Sequence, residues 1–199
     1  PVQTVGPSGS VAVQALLALD GKPTGVAATA RFISPFPLAQ GMYYDVETRN
    51  GAGDGAFMQV ERLPAGKTSL DDVDAAFFVD TVLSARGRFG AYGVPSDVSV
   101  ISTRMLDGGK KVVEVAFSAL TPGGSEQPRR ALIAALVPAG SSDAVMLVSG
   151  ASALRWKKNG AEAAARAMAA SFVIDGTRPT KIPRQIKSDY RYAEGTLFE

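Results

Sequence analysis

Apolar and polar residues alternate with a period of two in parts of this chain, elsewhere apolar residues come in short runs, and two stretches have helical spacing. The alternation is clearest over residues 111–120. There Val113, Val115, Phe117 and Ala119 alternate with Glu114, Ala116 and Ser118, as a strand with one face on a core requires. The same reading predicts strands over 42–47, 57–63 and 97–105, the last turned back by Asp107-Gly108-Gly109. Two apolar runs, 131–138 and 144–149, complete an antiparallel meander after a polar loop at 121–128. Nearer the start, apolar residues at 11–19 and 27–33 flank Asp20-Gly21-Lys22-Pro23, whose turn chemistry predicts a hairpin. Ser34-Pro35-Phe36-Pro37 then breaks the chain.

Ser69, with Asp72 three residues on, predicts a capped helix whose buried stripe is Leu70, Val73, Phe77 and Leu83. Asp71, Asp72 and Asp74 then fall in its first turn, where carboxylates meet the helix dipole favourably; this capping role is preferred to a metal cluster. A second helix is predicted from an Asn159–Glu162 capping box. Ala161, Ala164, Ala165, Met168 and Phe172 recur on one side of it, and Glu162 and Arg166 form an i,i+4 pair on another. A face of small residues lets a helix lie close to a sheet, with Trp156 and Phe172 clamping its ends. Trp156, Met168, Phe172 and Phe117 are therefore the expected structural core. No internal repeat or second domain is visible, so the pattern predicts an α+β fold, a single antiparallel sheet with helices on its faces.

Gly51, Gly53 and Ala56 match the dinucleotide pattern G-x-G-x-x-A, but that motif must open a helix. Residues 57–61 have strand periodicity instead, so the segment reads as a turn.

Composition narrows the chemistry. The 199 residues are 46% hydrophobic, enough for one well-buried domain. They include no cysteine and no histidine, which removes thiolate nucleophiles, disulfides, imidazole bases and ordinary zinc sites. No nucleophile elbow, P-loop or HExxH pattern occurs. No catalytic residue, cofactor or metal is therefore assigned; a small hydrolase or transferase working through carboxylates or Lys/Arg stays open as the alternative. The net charge of +2 is too small to indicate a nucleic-acid partner. Arg129-Arg130 and Lys157-Lys158 read as solvated surface charge. The charge is polarised: residues 1–100 carry 7 Lys/Arg against 10 Asp/Glu, and residues 101–199 carry 14 against 9. No apolar run is long enough for a membrane-spanning helix, since Pro138 and Asp143 interrupt the best candidate. A chain beginning at Pro1, without methionine, is read as having lost a targeting segment.

The order of elements after residue 97 is more specific than any one of them. A turn at Thr121-Pro122-Gly123-Gly124 precedes two strands, at 129–138 and 145–149. Arg155-Trp156 and an alanine-rich helix ending Ala170-Ser171-Phe172 follow. This order resembles the C-terminal signature of the PsbP family, extrinsic proteins of the thylakoid lumen, over roughly residues 40–175. The resemblance implies an α/β/α sandwich around an antiparallel sheet. It also implies a non-catalytic lumenal subunit that docks peripherally on a photosynthetic membrane complex, with the photosystem core and other lumenal subunits as partners. Family members on the oxygen-evolving side of photosystem II help it retain calcium and chloride. The alternatives within the resemblance are a transient assembly factor and a photosystem I-associated subunit. Histidines proposed to bind metal in the family have no counterpart here, so that property does not carry over. The family's lysine-rich N-terminal docking segment is also absent, since residues 1–21 contain no Lys or Arg.

Docking is instead expected from the C-terminal end. The division is an N-terminal arm with a possible hairpin at 1–39, a PsbP-like domain at 40–175, and an extended docking tail at 176–199. In the tail Arg178, Lys181, Arg184 and Lys187 recur every third residue around Pro179 and Pro183, so a polyproline II chain projects all four from one edge. Tyr190, Arg191, Tyr192 and Phe198 complete the expected docking set.

Overall fold

The computed structural model describes residues 3–5, 9–19, 22–39, 46–85 and 87–183. Ten strands and three α-helices follow one another in the described chain. They are β1 (Gln3–Val5), β2 (Ser10–Leu19), β3 (Lys22–Ile33), β4 (Glu47–Arg49), β5 (Gly55–Arg62), α1 (Ala75–Val82), β6 (Ser96–Leu106), β7 (Lys110–Leu120), β8 (Glu126–Leu136), β9 (Asp143–Ser152), α2 (Ala153–Lys158), α3 (Ala161–Ser171) and β10 (Val173–Pro183).

The strands form two antiparallel sheets, which overturns the expected α/β/α sandwich built on a single sheet. The larger sheet has the order β4-β5-β9-β8-β7-β6, and the smaller has the order β1-β2-β3-β10. Alternate residues of the β2–β3 hairpin explain the difference. Val11, Val13, Ala15, Leu17, Ala28, Ala30 and Phe32 make a continuous apolar face that must leave water. That face packs on Ala56, Met58, Ala134, Val145 and Leu147 of the larger sheet, together with Met168, Ala169 and Phe172 of α3 and its end. A second sheet thus covers much of a face on which helices were expected. The opposite face is covered by α1, the preceding segment with Leu63, Leu70 and Val73, and Phe89 of a short 3₁₀ turn, Arg88–Gly90. Covered on both faces, β9 is buried over seven consecutive residues, as near-continuous apolar central strands are.

The helix boundaries also differ from the expected ones. Asp74, not Ser69, caps α1, accepting from the amide of Ala76 at 3.2 Å. Ser69 instead closes a local turn with Asp71, and Leu70 and Val73 are buried ahead of the helix. The Asn159–Glu162 capping box does not form. Gly160 takes the left-handed conformation, φ 72°, and splits the region into α2, capped by Ser152, and α3. Asn159 ends α2 by donating its amide to the carbonyl of Arg155. The expected stripe of α3 is present: Ala161, Ala165 and Met168 are buried, and Arg166 pairs with Glu162 at 2.6 Å.

Neighbouring residues on a strand face opposite ways, and the adjacent lysines of β7 use this to tie down both layers. Lys110 Nζ donates to the carbonyls of Ala169 and Ala170 at 2.9 Å each, at the C-terminal end of α3 where a cation is favoured. Lys111 Nζ donates to the carbonyls of Leu70 and Val73 on the other side. Burial pushes the Lys110 amine below its ordinary value. We expect Lys111→Met to cost about 2 kcal/mol in urea unfolding, because the loop carbonyls lose a buried charged donor. An unchanged midpoint would show that the 70–73 segment is held by its side chains alone.

At the edge of the larger sheet, β6 exposes Val98, Val100, Ile101, Met105 and Leu106. Two register shifts, at Ser96/Ser99 and Val100/Ser102, kink this strand, a usual protection of an edge against pairing with another chain.

Candidate functional site

The larger sheet carries a cleft of about 230 Å³ on its α1 face, where β4, β5, β9 and β8 meet the Arg88–Gly90 turn and the 121–122 loop. Its floor follows from two glycines. Gly55 of β5 and Gly150 of β9 are register partners, so this patch of sheet has no side chains. A Cβ at Gly55 would meet the carbonyl of Thr48 at 2.1 Å, and one at Gly150 would press on Phe89 at 3.4 Å and the carbonyl of Arg130 at 3.1 Å. Phe89 lies over the gap, edge-on to Phe57 with centroids 5.8 Å apart and tilted on Phe117 at 4.8 Å.

The Gly51–Gly55 segment is the turn of the β4–β5 hairpin, with a strand on each side. Asn50 organises it: its side-chain oxygen accepts from the amides of Ala52 and Asp54 at 2.9 and 3.0 Å, and its amide donates to Asp54. Asp54, 4% exposed, thereby faces Arg155 of α2, which grips it through Nε and Nη2 at 2.6–2.9 Å. Hydrogen bonding to Asp54 raises the Arg155 guanidinium above its ordinary value, against the effect of burial. The Arg-Trp pair thus has two structural duties. Arg155 ties α2 to the hairpin turn, and Trp156 fills the space between β8, α2 and α3.

Four arginines surround or adjoin the cleft: Arg49, Arg88, Arg129 and Arg155. Arg88 pairs with Glu47 at 2.8 Å and Arg155 with Asp54. Among the described residues, neither Arg49 nor Arg129 forms an ion pair. Arg129 is the unusual member. Its guanidinium lies over Phe89, 5.5 Å from the ring centroid. It donates to Gln127 at 3.0 Å and, at 3.4 Å, to the carbonyl of Gly53, while its buried Nε has no acceptor among the described residues. Burial first, and then the charge of Arg88, push it below the ordinary guanidinium value; Asp54 acts in the other direction.

The surface reading of Arg129 and Arg130 is corrected by their faces: both side chains are half-buried, on opposite sides of β8. Arg130 pairs with the buried carboxylate of Glu114 at 2.5 Å. Lys157 and Lys158 are exposed. Sequence reading passed over Arg49 and Arg88 altogether; the signal present was the parity of Arg129 with Ala131 on β8.

The expected core residues are buried, but in three different clusters. Met168 and Phe172 lie between the sheets, Trp156 lies under α2, and Phe117 is on the α1 face. Of the expected docking residues, Arg178 and Lys181 are exposed on β10, which pairs with β3 as far as Pro183 opposite Thr24. Arg184, Lys187, Tyr190, Arg191, Tyr192 and Phe198 lie outside the described residues. Nothing in the described chain brings Arg178 or Lys181 to the cleft, which is on the other sheet. Among the described residues no group of three or more acidic side chains is placed to hold a metal ion, and no helix is long and apolar enough to cross a membrane.

No family model matches the chain, and no curated protein matches it. Among solved structures it is similar to the solution structure of cyanobacterial PsbP (CyanoP) from Synechocystis sp. PCC 6803. The sequences are 16% identical, the likeness covers 87% of this chain and 97% of that one, and the TM-score is 0.48.

Proposed function

We propose that this chain is a non-catalytic, PsbP-like protein of the thylakoid lumen that docks peripherally on a photosynthetic membrane complex. The observation that carries the reading is the block from Thr121 to Phe172. The residues that carry the sequence resemblance fall on consecutive elements, β8, β9, α2 and α3, in the order the resemblance requires. Its marker pair, Arg155-Trp156, is used by the fold at both positions. The carboxylates in and beside the cleft, Glu47 and Asp54, are each held by an arginine, so neither is poised as a base. The partner surface in this proposal is an acidic lumenal patch. The docking residues are Arg178, Lys181, Arg184 and Lys187 with Tyr190, Arg191, Tyr192 and Phe198, and the preferred complex is photosystem II on its oxygen-evolving side.

Residues 176–183 belong to β10, so a deletion that tests the tail must begin after the last paired residue. Removing 184–199 is expected to leave the melting transition in place while association with the membrane complex falls at least tenfold. Contacts between exposed charges are screened beyond about 8 Å at physiological ionic strength, so a molar salt wash should release the intact protein from isolated thylakoids. Fractionation by complex before and after that wash is the deciding experiment. Co-migration with a mature complex in fixed ratio supports a subunit, and migration with precursors identifies an assembly factor. A truncated chain that binds as well as the full one would move docking to the folded face.

A further inference from the structure

We propose that the cleft beneath Phe89 is a carboxylate-binding site with Arg129 at its base and Arg49 at its rim. Each carboxylate present is already committed: Glu47 to Arg88 and Asp54 to Arg155. Two guanidinium groups therefore line the cleft without an ion-pair partner among the described residues, and one of them is half-buried with an unused Nε and a long contact to Gly53. A charge partly withdrawn from water without an ion-pair partner is costly, and its neighbour Arg88 adds repulsion that Asp54 offsets only in part. A fold that needed only packing at residue 129 would be better served by an apolar side chain, because Ala131 and Ile133 on the same face of β8 join the apolar core.

The lining selects the ligand. The amides of Ala52, Gly53 and Asp54 are occupied within the hairpin turn, so that turn offers no row of free backbone donors to cradle a phosphate. Recognition falls to planar guanidinium forks, which pair with a carboxylate or a phosphate through two parallel hydrogen bonds, and to Gln127 and Thr121 beside them; the missing backbone cradle favours the carboxylate. A volume of about 230 Å³ has room for a small organic acid or one acidic side chain. On entry the carboxylate supplies the missing charge, and Arg129 exchanges its long contact with Gly53 for a charge-assisted pair.

The test is calorimetric titration of the full chain with succinate, with inorganic phosphate and with a blocked tripeptide carrying a central glutamate, at constant ionic strength. Saturable binding of succinate or of the peptide is expected. Preference for the first identifies a free organic acid as the source, and preference for the second identifies an acidic side chain. Arg129→Gln should lose about tenfold or more in affinity while the unliganded protein melts no lower than wild type, the reverse of what a purely structural arginine gives. Arg49→Gln, at an exposed position whose side chain makes no ion pair among the described residues, should weaken binding several-fold. Deleting 184–199 should leave the titration unchanged, which separates this site from tail docking. Three results would overturn the proposal: no saturation, tighter binding of phosphate than of either carboxylate, or full affinity retained in Arg49→Gln and Arg129→Gln.

Discussion

Phe172→Ala is expected to lower the free energy of unfolding by about 3–5 kcal/mol, and Trp156→Ala by a similar amount. Phe172 is fully buried and sits where α3 ends and β10 begins, so one side chain fixes both the helix and the strand that follows. It packs between the two sheets with Met168 and with Phe32 of β3. Truncation therefore opens a cavity where three elements meet, and none of them can move in to fill it without leaving its own sheet or helix. Trp156 is 2% exposed against Leu132, Ala151, Ala161 and Ala165, mostly small residues that only a large ring can fill around. Its indole nitrogen has no hydrogen-bond partner among the described residues, so Trp156→Phe should recover much of the loss seen in Trp156→Ala. Urea unfolding followed by circular dichroism measures each variant. A midpoint unchanged in Phe172→Ala would mean that α3 is not anchored to the sheets at that residue.

What the sequence disclosed depended on how each element is buried. Alternation over 111–120 located β7, and the apolar runs located β8 and β9, because burial of a strand imprints directly on its residues. It does not say what covers the face. The residues of β2 and β3 read as an arm with a possible hairpin because hydropathy cannot tell a strand in a second sheet from one set apart. The strand β10 left no signal for a different reason. Its residues from Asp175 to Pro179 are exposed, and what holds them is backbone pairing to β3 and the exposed Arg31–Asp175 ion pair, neither of which leaves an apolar imprint. The failed capping box has a local cause, since Gly160 admits a left-handed turn that Asn159 and Glu162 cannot span. The cleft is hidden in the sequence because Arg129 and Arg130 stand together as one basic pair. Strand parity separates them, sending Arg129 toward Phe89 and Arg130 toward Glu114.

Glu114 is expected to be a pH-sensitive support of this fold, and Glu114→Ala should cost about 3 kcal/mol at neutral pH. The carboxylate is 4% exposed on β7 and accepts from Arg130 at 2.5 Å and from Arg166 of α3 at 3.0 Å. It therefore joins two strands of the larger sheet to the helix packed on them. Burial pushes its pKa up, but the hydrogen bonds and charges of the two arginines pull further, leaving it below the usual carboxylate range. A carboxyl with a lower pKa folded than unfolded contributes stability that is fully present above the unfolded value. That contribution is lost as pH falls through the folded value. Glu114→Gln keeps the shape and much of the hydrogen bonding but cannot titrate. The wild type should thus be more stable than Glu114→Gln at pH 7, and the gap should close on acidification below the usual carboxylate range. Removal of the carboxylate also leaves Arg130, 23% exposed, without its partner, so most of the loss in Glu114→Ala comes from a stranded charge rather than a missing contact. Pairing Glu114→Leu with Arg130→Met removes both charges and should restore much of the stability lost in Glu114→Ala. Unfolding curves for wild type and Glu114→Gln that stay parallel from pH 7 down through the carboxylate range would show that this carboxylate is not held in its charged form by the two arginines.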